Sequence, residues 1–178
     1  HVLLLSWWLT TEFSAVTSVN CLHNPLGEGL QAIIKVFEET PRLRTLCGLE
    51  EGIETIDWSN SKKGPVEVAL LAVDLKAGRA AAAVARLILD GNPLTSGGWG
   101  DIDKDITGVT ALFDTLKTSS VTDLGLANCR LGPGSLAKLA EYVRDATAGV
   151  ARLSLSENMI TGSKQVYDED DREVWKYD

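Results

Sequence analysis

Reactive side chains are few and widely spaced in this sequence. The three cysteines are Cys21, Cys47 and Cys129, and the two histidines are His1 and His23. A cysteine hydrolase needs a thiol beside a histidine base. If the segments of Cys47 and His23 pair as neighbouring strands, the two side chains share a face but are about 10 Å apart along it. The sequence therefore predicts no cysteine hydrolase, and three scattered cysteines favour neither a disulfide framework nor a Cys-x-x-Cys metal site.

Three aspartates at alternate positions are similar to the first ligands of a calcium loop. Asp101, Asp103 and Asp105 match positions 1, 3 and 5, where such a loop supplies carboxylates. The match ends at Ile106, where a calcium loop has glycine, and at Leu112, where it has a bidentate glutamate. Asp105, or the threonine two residues later, is better explained as an N-cap of the next helix. We expect no metal ion and no cofactor, and a calcium-regulated binder is left as an alternative.

The composition indicates one globular domain with an acidic surface. Of the 178 residues, 44% are hydrophobic and 24% are charged, which is enough for one core. The 17 lysines and arginines against 25 aspartates and glutamates leave a net charge of −8, which disfavours nucleic acid and anionic membranes as partners. No apolar stretch is long enough to span a bilayer. We expect a cytoplasmic protein.

One spacing of apolar residues recurs along the chain and points to the elements that position these side chains. It reads apolar, two free, apolar, one free, apolar, two free, Asn or a substitute, one free, apolar. Four full matches start at Val16, Val84, Val121 and Val150. A weaker match starts at Ile53, and a partial one precedes it. A unit that recurs in this way indicates a repeat architecture.

This spacing resembles the LxxLxLxxNxL pattern of the leucine-rich repeat family, and the resemblance covers most of residues 13 to 162. In each repeat a short strand alternates inward apolar with outward polar residues, and an Asn then turns the chain. In the family, the Asn side chain bonds backbone groups of the neighbouring turn, which satisfies buried amides. The resemblance implies this ladder role for Asn24, Asn92, Cys129 and Asn158.

Helical patterns of apolar residues follow the strand segments. The spacing i, i+3, i+4, i+7, which forms one apolar stripe on a helix, occurs in residues 30–37, 109–116 and 136–143. Pro65 and Gly78 predict the two ends of a further helix. The repeats at Val121 and Val150 start 29 residues apart. Full helices at this repeat length resemble the ribonuclease-inhibitor-like class, which implies an α/β fold: a short horseshoe-shaped solenoid with a parallel β-sheet on the concave face and α-helices on the convex face.

The repeat pattern divides the chain into three parts. Residues 16–162 form the predicted leucine-rich repeat domain of about five repeats, with an inserted loop at 95–106. Residues 1–15 are expected to be an N-terminal cap over the open core or the remnant of a preceding segment, and the alternative for their apolar side chains is a partner-binding patch. Residues 163–178 are expected to be an acidic C-terminal tail. Because the sequence starts with His1 and not with Met, we expect a fragment or a processed product.

The region 43–63 is irregular in this pattern. Two strand candidates, 43–48 and 53–58, start ten residues apart, whereas a parallel crossover needs about a dozen residues or more. One of the two is therefore expected to be a hairpin or an insertion. We slightly favour the first as the regular repeat strand, because Leu43 follows Val16 by 27 residues.

The exposed face of the predicted sheet is the expected binding surface. Outward positions of successive strands line up about 4.8 Å apart, which places Arg86, Asp123 and Arg152 in one row. Ion pairs within such a row contribute only about 0 to 1 kcal/mol, and they explain the row as well as recognition does. Arginine is enriched among binding hot spots, so Arg86 and Arg152 are the expected anchors. The full set of predicted contact residues is His23, Glu54, Arg86, Asp90, Asp123, Arg152 and Glu157.

These features predict a non-catalytic scaffold for protein-protein interaction. Gly125 and Ala127 are expected to leave the centre of its concave face shallow, and the rigid sheet limits the entropy cost of docking a protein or peptide. We expect a monomer with no enzymatic activity. The alternative is a regulatory or ligand-sensing leucine-rich repeat segment of a larger multidomain protein, whose catalytic domain lies outside this sequence.

Overall fold

Helices and short strands alternate along this chain. The computed structural model describes residues 2–11, 14–95 and 102–161, and the backbone of 164–167 and 173–176. The helices are α1 (Val2–Thr10), α2 (Gly29–Glu39), α3 (Pro65–Ala77), α4 (Thr107–Leu116) and α5 (Pro133–Asp145). The strands are β1 (Thr55–Asp57), β2 (Arg86–Ile88), β3 (Asp123–Gly125), β4 (Arg152–Ser154), β5 (Lys164–Tyr167) and β6 (Glu173–Lys176). The chain is α/β, as the sequence predicts.

Strands β1 to β4 form one parallel sheet in chain order. The register aligns Ile56, Leu87, Leu124 and Leu153 across the sheet. The first three of these side chains are buried, and the fourth packs partly buried against the core. Alternate residues of a strand point to opposite faces, so the residues on either side of this row lie on the other face. The predicted parallel pairing of the segments that start at Val84, Val121 and Val150 is confirmed.

The segment at Leu43 provides no strand of this sheet, so the preference for it over the segment at Ile53 is wrong. Strand β1 lies in the second segment. The first segment instead makes isolated bridges to Ser18 and Asn20. Its spacing of 27 residues from Val16 therefore corresponds to a local pairing with the first repeat and not to the four-stranded sheet.

The helices pack side by side in the same order as the strands. One apolar core joins residues of the helices to residues of the sheet. Within it, the rings of Phe113 on α4 and Tyr142 on α5 stack with their centroids 6.2 Å apart. Most other core positions are Leu, Val or Ile, which explains how a chain with 6% aromatic residues builds a core.

Helix α3 shows how the local sequence sets the ends of a helix. Pro65 occupies the first turn, where the N–H that proline lacks would have no partner within the helix. The carboxylate of Glu67 accepts a hydrogen bond from the N–H of Gly64 at 2.9 Å. At the other end Gly78, with a φ of 63°, takes the left-handed conformation that terminates the helix. The two residues that predict this helix therefore lie at its ends.

Gly108 on α4 lies against the start of α3 at very close range. A Cβ atom at this position would overlap the carbonyl oxygen of Pro65 and lie 3.1 Å from its Cα atom. The neighbour is backbone, which cannot move aside as a flexible side chain can. The missing side chain of Gly108 therefore allows α3 and α4 to pack at this distance.

The substitution Gly108→Ala is expected to lower the free energy of unfolding by about 2 kcal/mol, because the added methyl group forces the backbones of α3 and α4 apart. Urea denaturation followed by circular dichroism measures this loss. Gly149→Ala is the matched control, since a Cβ atom there meets nothing within 4 Å. Equal stability of the two variants would contradict the importance of this close approach.

The two ends of the predicted inserted loop lie next to each other. The carbonyl of buried Thr95 accepts the N–H of Asp105 at 2.9 Å, and the Thr95 hydroxyl donates to the carbonyl of Arg130 at 2.7 Å. The two ends of the loop are therefore bonded to each other and to the turn after β3. Residues 96–101, and with them Asp101, lie outside the described residues.

The region predicted as an acidic tail contains two strands. The backbone of β5 pairs with that of β6 in an antiparallel arrangement, with Gln165 opposite Trp175 and Val166 opposite Val174. The sequence predicts no strand in this region, because four-residue segments within an acidic stretch are too short to show a clear alternation.

Candidate functional site

The sheet register brings the predicted row of charges together on the exposed face. Arg86, Asp123 and Arg152 are direct neighbours on β2, β3 and β4. The carboxylate Oδ2 of Asp123 lies 3.5 Å from Nε of Arg86 and 3.2 Å from Nη1 of Arg152. The two arginine side chains are 49% and 71% exposed, whereas that of Asp123 is 22% exposed. The row is thus a chain of surface ion pairs in which two cations share one partly shielded anion.

Acidic residues lie next to this row at the β1 end. Glu54, which precedes β1, is exposed, and its carbonyl accepts the N–H of Arg86 at 3.2 Å. Asp57 at the end of β1 is exposed as well. Hydrogen bonds from the N–H and hydroxyl of Ser59, together with the charge of Arg86, lower the pKa of Asp57. This carboxylate is therefore ionised at neutral pH.

The centre of the exposed face is filled, which corrects the shallow surface predicted from Gly125 and Ala127. The carboxylate of Asp90 reaches across to β3, where Oδ1 accepts the N–H of Ala127 at 2.8 Å. A Cβ atom at Gly125 would lie 2.8 Å from that same oxygen and 3.2 Å from Cγ2 of Ile88. The small residues thus make room for the side chain of Asp90. Its carboxylate has a structural partner and is not a free contact residue.

The two remaining predicted contact residues lie in turns. His23 is exposed with a φ of 59°, and its Nε2 atom is 2.7 Å from Nζ of Lys63. Glu157 is also exposed with a φ of 59°, in the turn after β4 and directly before Asn158. Among the described contacts, His23 is joined to Lys63 and not to the arginines of the row. The structure therefore brings together Arg86, Asp123 and Arg152 and places His23 apart from them.

Asn92 links two successive turns through its side chain. Its Oδ1 atom accepts the N–H groups of Ser61 at 3.1 Å and Lys63 at 2.8 Å. Its Nδ2 atom donates to the carbonyls of Trp58 and Leu89, both at 2.7 Å. The amide is buried, and its bonds to Lys63 and Leu89 satisfy backbone groups that are buried as well.

Cys129 and Asn158 hold the corresponding positions one and two turns later. Oδ1 of Asn158 accepts the N–H groups of Cys129 at 2.9 Å and Leu131 at 3.0 Å, and Nδ2 donates to the carbonyl of Leu126 at 2.7 Å. The thiol of Cys129 donates to the carbonyl of Leu89 at 3.2 Å. Burial raises the pKa of Cys129 to about 12. This thiol is thus a neutral hydrogen-bond donor in the turn.

Asn24 differs from these three residues and does not take the ladder role that the resemblance implies. Its exposed side chain donates to the carbonyls of Cys21 at 3.2 Å and Leu22 at 3.1 Å, both in its own turn. The reason lies in the chain before it. Residues 2–11 contain helix α1, so the described residues offer no earlier strand and turn for Asn24 to bond.

One buried aspartate, which the sequence pattern does not single out, forms hydrogen bonds with the segment after Leu43. Asp74 on α3 is fully buried. Its carboxylate accepts hydrogen bonds from the N–H of Leu46 at 2.8 Å, the N–H of Cys47 at 3.0 Å and the hydroxyl of Thr45 at 2.5 Å. Burial raises the pKa of Asp74, while these hydrogen bonds act in the opposite direction. The carboxylate thus supplies acceptors where a regular neighbouring strand would supply carbonyls.

Cys47 belongs to the core and does not share an exposed face with His23, contrary to the expectation from strand pairing. Both Cys47 and Cys21 are buried. Burial, and then the nearby charge of Asp74, raise the pKa of both thiols. A thiol is a poor nucleophile until it ionises, so neither side chain is poised for chemistry.

Arg79 is a second structural residue that sequence reasoning missed. Its guanidinium donates to the carbonyls of Phe37 at 2.8 Å and Leu43 at 2.7 Å, and lies 4.4 Å from the centroid of the Phe37 ring. It therefore ties the end of α2 to the segment at Leu43. For Asp74 a signal exists, because it follows Leu70 and Leu71 by four and three residues and so lies on their buried face. For Arg79 the partners are distant in sequence and leave no such signal.

Asp103 caps a helix and is not arranged as a metal ligand. Its carboxylate accepts the N–H groups of Gly132 at 3.0 Å, Gly134 at 2.7 Å and Ser135 at 3.1 Å, at the start of α5. The N-cap residue of α4 is Ile106, and not Asp105 or Thr107 as predicted; Asp105 lies directly before it and accepts the N–H of Thr107 at 3.0 Å. The described part of the chain holds no group of three or more His, Cys, Asp or Glu side chains that could bind a metal ion.

Helix α1 has one packed and one open face. Leu9 is buried, and Val2 packs against Gly29 at the start of α2. The side chains of Leu3 and Trp7 are largely exposed. The sequence leaves a cap over the core and an apolar patch as alternatives for these residues. Helix α1 has one apolar face packed on the core and another that is exposed.

No family model matches the chain, and no curated protein matches it either. Within the described residues, no helix combines the length and the hydrophobicity that crossing a membrane requires. The case for function therefore depends on the geometry of the exposed sheet.

Proposed function

We propose that this protein is a non-catalytic leucine-rich repeat scaffold of the ribonuclease-inhibitor-like class, which binds a protein or peptide through its sheet. In this proposal the chain is a short solenoid with the parallel sheet on its concave face and the helices on its convex face. Three features support it: the in-register strands, the helix between each pair of them, and the side-chain bonds of Asn92, Cys129 and Asn158 between turns.

The row of Arg86, Asp123 and Arg152 is the observation that carries the proposal. Backbone hydrogen bonds between the strands hold the three residues in place, so binding costs little conformational entropy. Arginine is enriched among the residues that contribute most to protein interfaces. Because the ion pairs of the row are about half exposed, they contribute only about 0 to 1 kcal/mol to stability.

The absence of catalysis, metal and cofactor is part of the same proposal. The three thiols are buried with raised pKa values, which supports a structural role for each. The acidic net charge of −8 supports a protein partner over nucleic acid or an anionic membrane. We further propose a cytoplasmic monomer, in keeping with its reduced cysteines.

The open face of α1 favours a second candidate function. In this alternative the chain is a regulatory or ligand-sensing segment of a larger multidomain protein, and the exposed Leu3 and Trp7 pack against another domain. The parent reading frame distinguishes the two candidates. An adjoining nucleotide-binding or ligase domain would favour the second one.

Reversing the charges of the row is expected to reduce capture of the partner by more than about tenfold, because each arginine is a predicted hot spot. The experiment is a pull-down from extract of the source organism with wild type and with Arg86→Glu/Arg152→Glu. The control is Lys35→Glu/Arg144→Glu, which makes the same charge change at exposed positions on α2 and α5. Unchanged capture by the first variant would contradict binding through the exposed sheet.

A further inference from the structure

Arg86 and Arg152 both contact one oxygen atom of Asp123. The distances to Oδ2 are 3.5 Å from Nε of Arg86 and 3.2 Å from Nη1 of Arg152. A guanidinium has five N–H donors and binds a carboxylate best through two parallel hydrogen bonds. In the described contacts each arginine instead meets this carboxylate through a single atom. Both guanidiniums therefore retain donors for a second carboxylate.

The charge on the exposed face has a direction across the strands. At β4 the cation Arg152 is 71% exposed, whereas the carboxylates of Asp123 and Asp90, which lie between it and β1, are partly buried. At the β1 end, Glu54 and Asp57 are exposed and acidic. An acidic group of a ligand is thus attracted to the side of β4 and repelled from the side of β1.

We propose that the ligand is an extended peptide in which a carboxylate side chain binds Arg152 at β4 and a basic side chain lies over Asp57 at β1. This inference rests on the proposed function of the exposed sheet. Strands β1 and β4 are three strand spacings apart, about 14 Å at about 4.8 Å each. An extended peptide covers that distance in about four residues, and residues i and i+4 point to the same side of it. The recognised pattern is therefore Glu and Lys separated by three other residues, in either chain direction.

The test measures retention of the full chain on an array of nine-residue peptides. Each peptide has Ala and Ser at all positions except two, which carry Glu and Lys, Glu and Glu, Lys and Lys, or phosphoserine and Lys at separations of three, four or five. Wild type is expected to prefer Glu and Lys at a separation of four by about tenfold over the other charge combinations and separations. Arg152→Glu is expected to move the preference to Lys and Lys, whereas Arg144→Glu on α5 leaves it unchanged.

Each outcome decides for or against the inference. Selection of Glu and Lys at a separation of four, with the shift in Arg152→Glu, supports it. Preference for Lys and Lys in wild type, no charge preference, or stronger retention of phosphoserine than of Glu overturns the proposed carboxylate. If no peptide is retained while the pull-down still depends on Arg86 and Arg152, the inference fails and the proposed function stands. If neither experiment depends on these arginines, both fail.

Discussion

Replacing Asp74 with alanine is expected to lower the free energy of unfolding by about 3 kcal/mol, because a buried donor without an acceptor costs about 1 to 3 kcal/mol. The carboxylate accepts hydrogen bonds from the backbone of Leu46 and Cys47 and from the hydroxyl of Thr45. Removing it leaves all three donors in the core without that partner. The gain from no longer burying a charged group offsets part of the loss. Urea denaturation at neutral pH measures the difference.

Two further substitutions show whether the acceptors of Asp74 are responsible. Asp74→Asn keeps one acceptor oxygen at nearly the same place, so about half of the loss is expected. Asp114→Ala on α4 is the matched control, because Asp114 is an exposed aspartate whose partner is Lys117 at 2.8 Å. Its removal is expected to change the free energy of unfolding by less than about 0.5 kcal/mol. A loss in Asp74→Ala no larger than in Asp114→Ala would show that the buried bonds contribute little.

The sheet was predictable because its register depends on residues close to each strand. A polar residue directly precedes each of the apolar positions Ile56, Leu87 and Leu124, and this local pattern indicates which residues face the core. The preference for the segment at Leu43 fails because it relies on one distance along the chain. The choice between the two segments depends on contacts that the spacing does not contain, such as the hydrogen bond from the N–H of Ser61 to Oδ1 of Asn92.

The row of Arg86, Asp123 and Arg152 was predictable for the same reason, since register alone makes these residues neighbours. The filled centre of the face was not, because it depends on the direction of one side chain. Gly125 looks like an open position in the sequence, yet the carboxylate of Asp90 reaches over it from the adjacent strand. The type of a residue indicates how much space it leaves at its own position. Which side chain fills that space depends on the rotamers of the neighbouring residues.

The contacts of the aspartates in the inserted loop were also only partly predictable from the sequence. Their alternation is similar to a calcium loop, but Asp103 bonds the start of α5, whose residue Gly132 lies 29 positions further along the chain. A carboxylate at a helix start stabilises the free N–H groups there whether or not it precedes the helix in sequence. The hydrogen bond from the N–H of Thr107 to Asp105 was predictable because the two residues are only two positions apart, although the N-cap itself is Ile106.

Asn92→Leu is expected to lower the free energy of unfolding by about 3 kcal/mol, since it removes four hydrogen bonds to backbone groups of two turns, among them the acceptor of the buried Lys63 N–H. The N–H groups of Ser61 and Lys63 lose their acceptor, and the carbonyls of Trp58 and Leu89 lose a donor. Leucine has nearly the same size as asparagine, so the change removes hydrogen bonds while it leaves no cavity. Thermal and urea denaturation of the purified chain both report the loss.

Asn24→Leu is the control that separates a bond between turns from a bond within one turn. Asn24 is exposed and bonds only carbonyls of its own turn in the described chain, so water replaces its amide and the expected loss is below about 0.5 kcal/mol. Asn158→Leu is expected to lie between the two, at about 2 kcal/mol, because Asn158 makes the same bonds as Asn92 but is only partly buried. Similar losses at Asn92 and Asn24 would mean that any asparagine in these turns stabilises them, whereas the graded order places the stabilisation in the bonds that join one turn to the next.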